Sequence, residues 1–261
     1  MHIMKTKIKQ EAIKYFTSHY PLASQKEIDK QVEDWENKSR SAESLLKFFE
    51  ERVGFVRGKK VMDVGFGSGG ISMAFAKAGA IVSGVDVDPE LKDIAERLFL
   101  AENIQADFKI YDGRSFPYPD NFFNYVVSSS VLEHVSFPLD VLKEILRVLK
   151  PRGRVFLSLP NKYYPKETHT LAYFVSYMPR GWANLYLRLL KRSPLEDDNL
   201  HFYSYFDIVK MLNKTGYKYE ILYKELGKGL GVKKTLILIL KWLNIHYTAF
   251  LKQLIFIIEK S

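Results

Sequence analysis

Between residues 61 and 159 short apolar runs alternate with helix-forming stretches, and this alternation constrains the fold more than any other feature of the chain. Runs at 61–64, 81–86, 108–111, 125–128 and 155–159 have the length of strands and are rich in Val, Ile, Phe and Tyr. Helical stretches at 71–77, 89–100 and 138–149 lie between them, with Pro89 in the first turn of the second and Pro151 closing the third. Strands alternating with helices imply a parallel sheet covered on both faces. Helix–strand order returns with a helix at 206–214 and a strand at 217–223, and 254–258 reads as a closing strand. The predicted fold class is therefore α/β: a doubly wound, mostly parallel sheet of seven strands.

The flanks of this pattern differ from its centre. Residues 1–52 read as an N-terminal helical extension, with Ile13, Phe16 and Tyr20 at helical spacing, a break at Pro21, and the pattern resuming over 28–49. The main domain is expected to run over 53–261, because 261 residues suit one α/β domain with an insertion better than two domains. After Pro160 the alternation stops. Residues 162–200 hold Tyr163, Tyr164, Tyr173, Phe174, Tyr177, Trp182 and Tyr186 together with Arg180, Arg188, Lys191 and Arg192. This is expected to be a helical lid inserted after the fifth strand, since loops that follow parallel strands gather at the sheet's carboxyl edge. Residues 233–252 form an amphipathic hydrophobic segment that holds Leu236, Leu238, Leu240, Trp242 and Leu243 together with Lys233, Lys234 and Lys241. Its lysines keep it short of the ~20 apolar residues a membrane span requires, so no transmembrane span is expected, whereas peripheral contact with a membrane surface stays open.

There is no cysteine, which removes disulfides, thiolate metal sites and cysteine nucleophiles, and no metal site is expected. The first residues lack the apolar core and cleavage site of a signal peptide, and a cytoplasmic location is expected. The net charge of +9 is unevenly spread. Residues 1–150 hold 21 Lys+Arg against 22 Asp+Glu, whereas residues 151–261 hold 18 against 8. That bias suits an anionic acceptor or surface, and equally a solvated basic face.

A glycine-rich turn, Gly65-Phe66-Gly67-Ser68-Gly69-Gly70, joins the first strand to its helix. Glycine lets such a turn tighten and lets backbone N–H groups approach a ligand, and nicotinamide enzymes share the arrangement. Three acids at strand ends separate the cofactors. Asp63 precedes the turn, where it would repel a pyrophosphate but suit an ammonium and a sulfonium. Asp86 ends the second strand, where a carboxylate can accept from both ribose hydroxyls, and Asp112 ends the third, where it can accept from an adenine amino group.

Here a resemblance enters. Asp63-Val64-Gly65-Phe66-Gly67-Ser68-Gly69 resembles the first motif of the class I S-adenosylmethionine-dependent methyltransferases, Gly84-Val85-Asp86-Val87-Asp88-Pro89-Glu90 the second and Tyr111-Asp112-Gly113 the third. Phe116 to Val127, Val131-Leu132-Glu133-His134-Val135 and Leu146 to Gly153 continue the likeness in order. The nearest group holds quinone-ring methyltransferases and bacterial glycan and small-molecule enzymes. The likeness covers 55–160 well and 201–223 moderately, and leaves 1–50 and 162–200 unmatched. It implies a Rossmann-like fold and S-adenosyl-L-methionine as cofactor. It also implies cofactor contacts at Asp63, Gly65, Gly67, Asp86, Val87, Asp112, Gly113 and Ser129. Asn124 departs from the family, which usually carries Asp there; a charged contact is lost, although that position usually caps structure.

The implied activity is methyl transfer to a small-molecule, glycan or lipid-linked acceptor, at oxygen or carbon. The sulfonium is already activated, so the protein must align the acceptor, exclude water and remove any hydroxyl proton. His134, after the fourth strand, is the candidate base; His169 and His201 flank the unmatched segment, His201-Phe202-Tyr203 lies just before a helix where it could serve as a cap, and Glu133 is expected on a helix surface. Nucleic acid is not an expected partner, because Ser128-Ser129-Ser130-Val131 lacks the Asn/Asp-Pro-Pro-aromatic motif of base methyltransferases. Two rivals remain: a non-catalytic cofactor-binding subunit, against which the intact motifs argue, and a nicotinamide oxidoreductase, which would leave Asp112 without a task.

Overall fold

The computed structural model of the chain describes residues 2–19, 25–192, 194–195, 200–222 and 251–260. The amphipathic segment expected at 233–252 lies almost wholly outside them, as do Tyr20 and Pro21. Among the described residues, no helix is long and apolar enough to cross a membrane.

All seven expected strands are present: β1 (Lys60–Val64), β2 (Ile81–Asp86), β3 (Asp107–Ile110), β4 (Phe123–Ser129), β5 (Leu149–Pro160), β6 (Lys218–Leu222) and β7 (Gln253–Glu259). They form one sheet in the order β3-β2-β1-β4-β5-β7-β6. β1 and β2 run parallel, from Lys60 opposite Ile81 to Val64 opposite Val85, and β2 and β3 are likewise parallel. β6 and β7 are antiparallel. The chain thus moves outward from β1 to β3 and returns to β4 on the other side of β1. That reversal is where ligands bind in doubly wound folds. The residues group into two compact units, Met1–Val127 with Glu144–Arg154, and Ser128–Lys143 with Val155–Ser261.

In the first unit the helices α1 (His2–His19) and α2 (Gln25–Arg52) form the N-terminal extension. They bury Ala12, Phe16, Ile28, Val32 and Trp35 against Ile94 and Leu98 of α4 (Pro89–Ala101). Among the described side chains of α1, Ala12 and Phe16, one helical turn apart, are buried. Ile13, expected on the packed face, is 40% exposed instead. Tyr15 Oη donates to Asp88 Oδ2 at 2.8 Å, and Arg97 reaches Glu11 through two bonds of 3.0 and 2.9 Å. Asp88 also caps α4, accepting from the Glu90 and Leu91 N–H groups, with Pro89 in the first turn as its fixed φ favours. Asn124 proves to be structural: its Oδ1 accepts from the Lys60 N–H at 3.0 Å and pins the start of β1. Arg147, near the end of α5 (Pro138–Val148), donates to Glu144, Asp120 and the Phe116 and Tyr118 carbonyls, which secures the loop ahead of β4.

In the second unit the described residues after β5 include a 3-10 turn at Val175–Tyr177 and the helix α6 (Arg180–Leu189). Ala172, Val175, Ala183, Leu187 and Leu195 are buried together there. Tyr173, Phe174, Trp182, Leu185 and Leu189 are exposed. The helix α7 (Tyr205–Asn213) starts on Ser204, whose hydroxyl accepts from the Asp207 N–H while the Asp207 carboxylate accepts from the Ser204 N–H. This reciprocal cap belongs to Ser204 and not to the neighbouring His201. Asn161 donates through Nδ2 to the Leu251 carbonyl at 2.8 Å and fixes the approach to β7.

Candidate functional site

At the ends of β1 and β2, in the first unit, the glycine turn is held from below by an acid. Gly65 and Gly67 have φ of 67° and 54°, which a side chain would strain. The Gly65 N–H donates to the Val85 carbonyl at 2.7 Å, and the Gly67 N–H to Asp86 Oδ2 at 2.8 Å. Asp86 is buried and also accepts from the Val87 and Asp88 N–H groups through Oδ1. Burial pushes its carboxyl above the usual range, and the three N–H donors oppose that rise. Helix α3 (Gly70–Lys77) follows from Gly69 with no side-chain cap, so its first N–H groups depend on a partner from outside the helix.

Asp63 is buried in β1 and accepts a hydrogen bond from Ser72 Oγ of α3 at 2.7 Å. Burial drives its carboxyl up to about 7; the Ser72 hydroxyl works against this and the nearby Asp86 charge adds to it. Ser72 is a site neighbour the sequence reading passed over; a hydroxyl one turn into the helix after the glycines was the available signal. Val87 is 56% exposed beside Asp86, an apolar surface next to a buried acid. The Tyr111 N–H donates to the Asp86 carbonyl at 3.0 Å, which brings the third strand's end to the same place. Asp112 itself is exposed, and its Oδ1 accepts from the Arg114 and Ser115 N–H groups at 2.9 and 2.7 Å. Those bonds hold its carboxyl below the usual carboxylate range, and Gly113 completes the turn at φ 81°. Asp63, Gly65, Gly67, Asp86, Val87, Asp112 and Gly113 are thus all in the first unit.

Ser129 and His134 belong to the second unit. Ser129 Oγ accepts from Ser158 Oγ at 3.0 Å. His134 ends a 3-10 turn, is exposed, and meets the His169 ring edge-on with centroids 5.0 Å apart. His169 Nδ1 lies 2.7 Å from Glu167 Oε1. Glu167 is buried and accepts further bonds from the His169 and Thr170 N–H groups and from Thr170 Oγ1. Burial alone would raise its carboxyl, but these donors and the imidazole hold it at about 2. Glu133, expected on a helix surface, is only 2% exposed, because the 3-10 turn directs it inward and the His201 N–H donates to its carbonyl at 2.7 Å. The sequence reading named His169 without Glu167; the acid two residues before a histidine was the signal for a carboxylate–imidazole pair.

Comparison with known proteins identifies the family. The family described as Methyltransferase domain matches residues 34–221. A ubiquinone biosynthesis O-methyltransferase of Coxiella burnetii is 27% identical over 220 residues, covering 77% of this chain and 91% of that protein. Among solved structures, an S-adenosylmethionine-dependent methyltransferase from Mesorhizobium loti superposes with a TM-score of 0.57 at 16% identity, covering 85% of this chain and 100% of that one. Phosphoethanolamine N-methyltransferase 2 of Haemonchus contortus, in complex with S-adenosyl-L-methionine, gives 0.56 at 18% identity, covering 84% of this chain and 52% of that one. At these identities the two structures share the fold.

Proposed function

The chain belongs to the methyltransferase-domain family, and from that premise we propose that it moves the methyl group of S-adenosylmethionine onto an oxygen of a small-molecule acceptor. It is an S-adenosylmethionine-dependent enzyme. The observation that carries the reading is the buried Asp86 carboxylate gripping the Gly67 N–H, with exposed Val87 beside it. We assign the ribose to Asp86, the adenine to Val87, Gly113 and Asp112, and the methionine end to Gly65, Gly67 and Asp63. A carboxylate offers about four acceptor positions. Gly67, Val87 and Asp88 occupy three of those on Asp86, so one ribose hydroxyl binds there while these bonds persist.

For the acceptor, oxygen is favoured by the printed name of the Coxiella burnetii relative, an O-methyltransferase. A hydroxyl must lose its proton as the C–S bond of the sulfonium breaks, and we assign that task to His134. Ser129, at the end of β4, is assigned to the cofactor's surroundings on the strength of the resemblance alone. The exposed Tyr173, Phe174 and Trp182, with Arg188, Lys191 and Arg192 at the end of α6, suit an acceptor with a ring body and an anionic part.

Isotope-labelled S-adenosylmethionine tests the first half: wild type binds it and Asp86→Ala binds it at least about tenfold more weakly. A metabolite extract incubated with the labelled cofactor then tests the second, the expected product being a methyl ether. Undetectable binding by wild type, or a product labelled on nitrogen, would overturn the corresponding half.

A further inference from the structure

We propose that Tyr15 of α1 is a positioning residue for the cofactor: it holds Asp88 in place, and with it the segment from Asp86 to Asp88 that takes the adenosine half of S-adenosylmethionine. This deepens the reading above and rests on its assignment of the ribose to Asp86. The N-terminal extension then belongs to the cofactor site as well as to the core.

Three hydrogen bonds run in series from α1 to the glycine turn. The Tyr15 hydroxyl donates to Asp88 Oδ2 at 2.8 Å, the Asp88 N–H donates to Asp86 Oδ1 at 3.2 Å, and the Gly67 N–H donates to Asp86 Oδ2 at 2.8 Å. Asp88 Oδ1 is committed to the Glu90 and Leu91 N–H groups that open α4. One oxygen of Asp88 therefore meets α4 and the other meets α1, so turning the carboxylate disturbs both. Asp88 cannot shift without moving the N–H on which Asp86 relies.

The phenol ring is itself fixed. It stacks on Trp35 at 5.5 Å and on His19 at 4.2 Å, with interplanar angles of 20° and 23°, and Phe16 meets it edge-on at 5.4 Å. Trp35 and Phe16 are buried. A plain ring would fill this space equally well. The hydroxyl adds a donor aimed at a carboxylate 73 residues further along the chain, and bonds to charged groups are the stronger ones. Burial, and then the Asp88 charge, push the Asp86 carboxyl upward. A donor on Asp88 draws off part of that charge and favours the ionised Asp86 that a ribose hydroxyl bonds best. Such coupling is reciprocal: if α1 steadies the cofactor segment, the bound cofactor steadies α1.

The test combines calorimetry with hydrogen–deuterium exchange across α1, both on the full chain. Saturating S-adenosylmethionine is expected to slow exchange in α1 of wild type by about fivefold or more. Tyr15→Phe keeps the ring and loses the donor. It should weaken S-adenosylmethionine and S-adenosylhomocysteine by one common factor, about fivefold or more, because the loss falls on the adenosine half they share. The slowing of exchange should shrink with it. Glu11→Gln is the comparison: it cuts the tie from Glu11 to Arg97 between the same two helices, away from Asp86, and should leave affinity within about twofold. Melting curves confirm that both variants fold; if Tyr15→Phe does not, exchange in wild type with and without cofactor decides. Binding by wild type with no change in α1 exchange, unchanged affinity in Tyr15→Phe, or an equal loss in Glu11→Gln would overturn the proposal and leave the cofactor assignment standing. No binding by wild type would remove both.

Discussion

The Gly67 N–H donates to Asp86 Oδ2 at 2.8 Å, so the glycine turn and the end of β2 share one geometry before any ligand arrives. Pre-arranged donors and acceptors spare a ligand the cost of ordering them. Asp86→Ala removes the anchor of the turn together with the ribose acceptor. Hydrogen bonds to a charged group contribute about 1.5–3 kcal/mol, so S-adenosylmethionine affinity is expected to fall at least about tenfold. Calorimetry reads it, and an unchanged affinity would remove Asp86 from the site.

Asp63 makes a pH prediction. Its native carboxyl titrates at about 7, against about 3.9 in an unfolded chain. Between those values the folded state holds a proton that the unfolded state has released. This contribution to stability is therefore complete below about pH 4 and is lost as pH rises through about 7. The unliganded protein should melt higher at pH 5.5 than at pH 8.5, and Asp63→Asn should narrow the gap. Cofactor binding runs the other way, because an ammonium attracts the ionised carboxylate. Affinity should rise from pH 6 to 8 in wild type and stay level in Asp63→Asn.

Gly84 lies in β2 under two aromatic rings. A Cβ there would stand 2.8 Å from Phe66 Cδ1 and 2.9 Å from Phe108 Cδ1. Phe66 belongs to the glycine turn, so a shift of its ring is felt at the ligand-binding loop. Gly84→Ala is expected to cost about 1–3 kcal/mol in urea unfolding. Adding Phe108→Leu should recover part of the loss by making room, a coupling that a double-mutant cycle measures.

Ser204 and Asp207 cap α7 reciprocally. Ser204→Ala should cost about 1 kcal/mol of stability, visible as a lower midpoint in denaturant with S-adenosylmethionine affinity unchanged. A change in that affinity would reassign Ser204 from the scaffold to the site.

His134 carries acceptor activation in the reading proposed above. Its loss as base in His134→Ala should lower kcat by about 100-fold or more. Cofactor binding should not change. Full turnover by the variant would place acceptor activation elsewhere.

The seven strands, the glycine turn and the acids beside it were legible in the sequence because their determinants are local. A strand, a glycine turn and a helix follow one another within a few residues, and an acid at a strand's last position is placed by the strand itself. Periodicity was less exact where neighbouring apolar residues compete: Ala12 faces inward and Ile13 outward on α1, a choice made by the partner helix. Likewise Asp63 could be read as an acid at the strand end. Its bond to Ser72, and the burial that raises its carboxyl, exist only once α3 packs over β1.

The sequence by itself determined the alternating sheet and the glycine turn with its acids, since strand and turn preferences act between near neighbours. Tertiary structure alone decided the burial of Glu133 and the meeting of His134 with His169. Glu133 turns inward, and the loop after β5 folds back so that His169 meets His134 at 5.0 Å with Glu167 buried behind it. His134 and His169, so far apart along the chain, carry no mark of their meeting, because chain closure and the packing of the intervening segment bring them together.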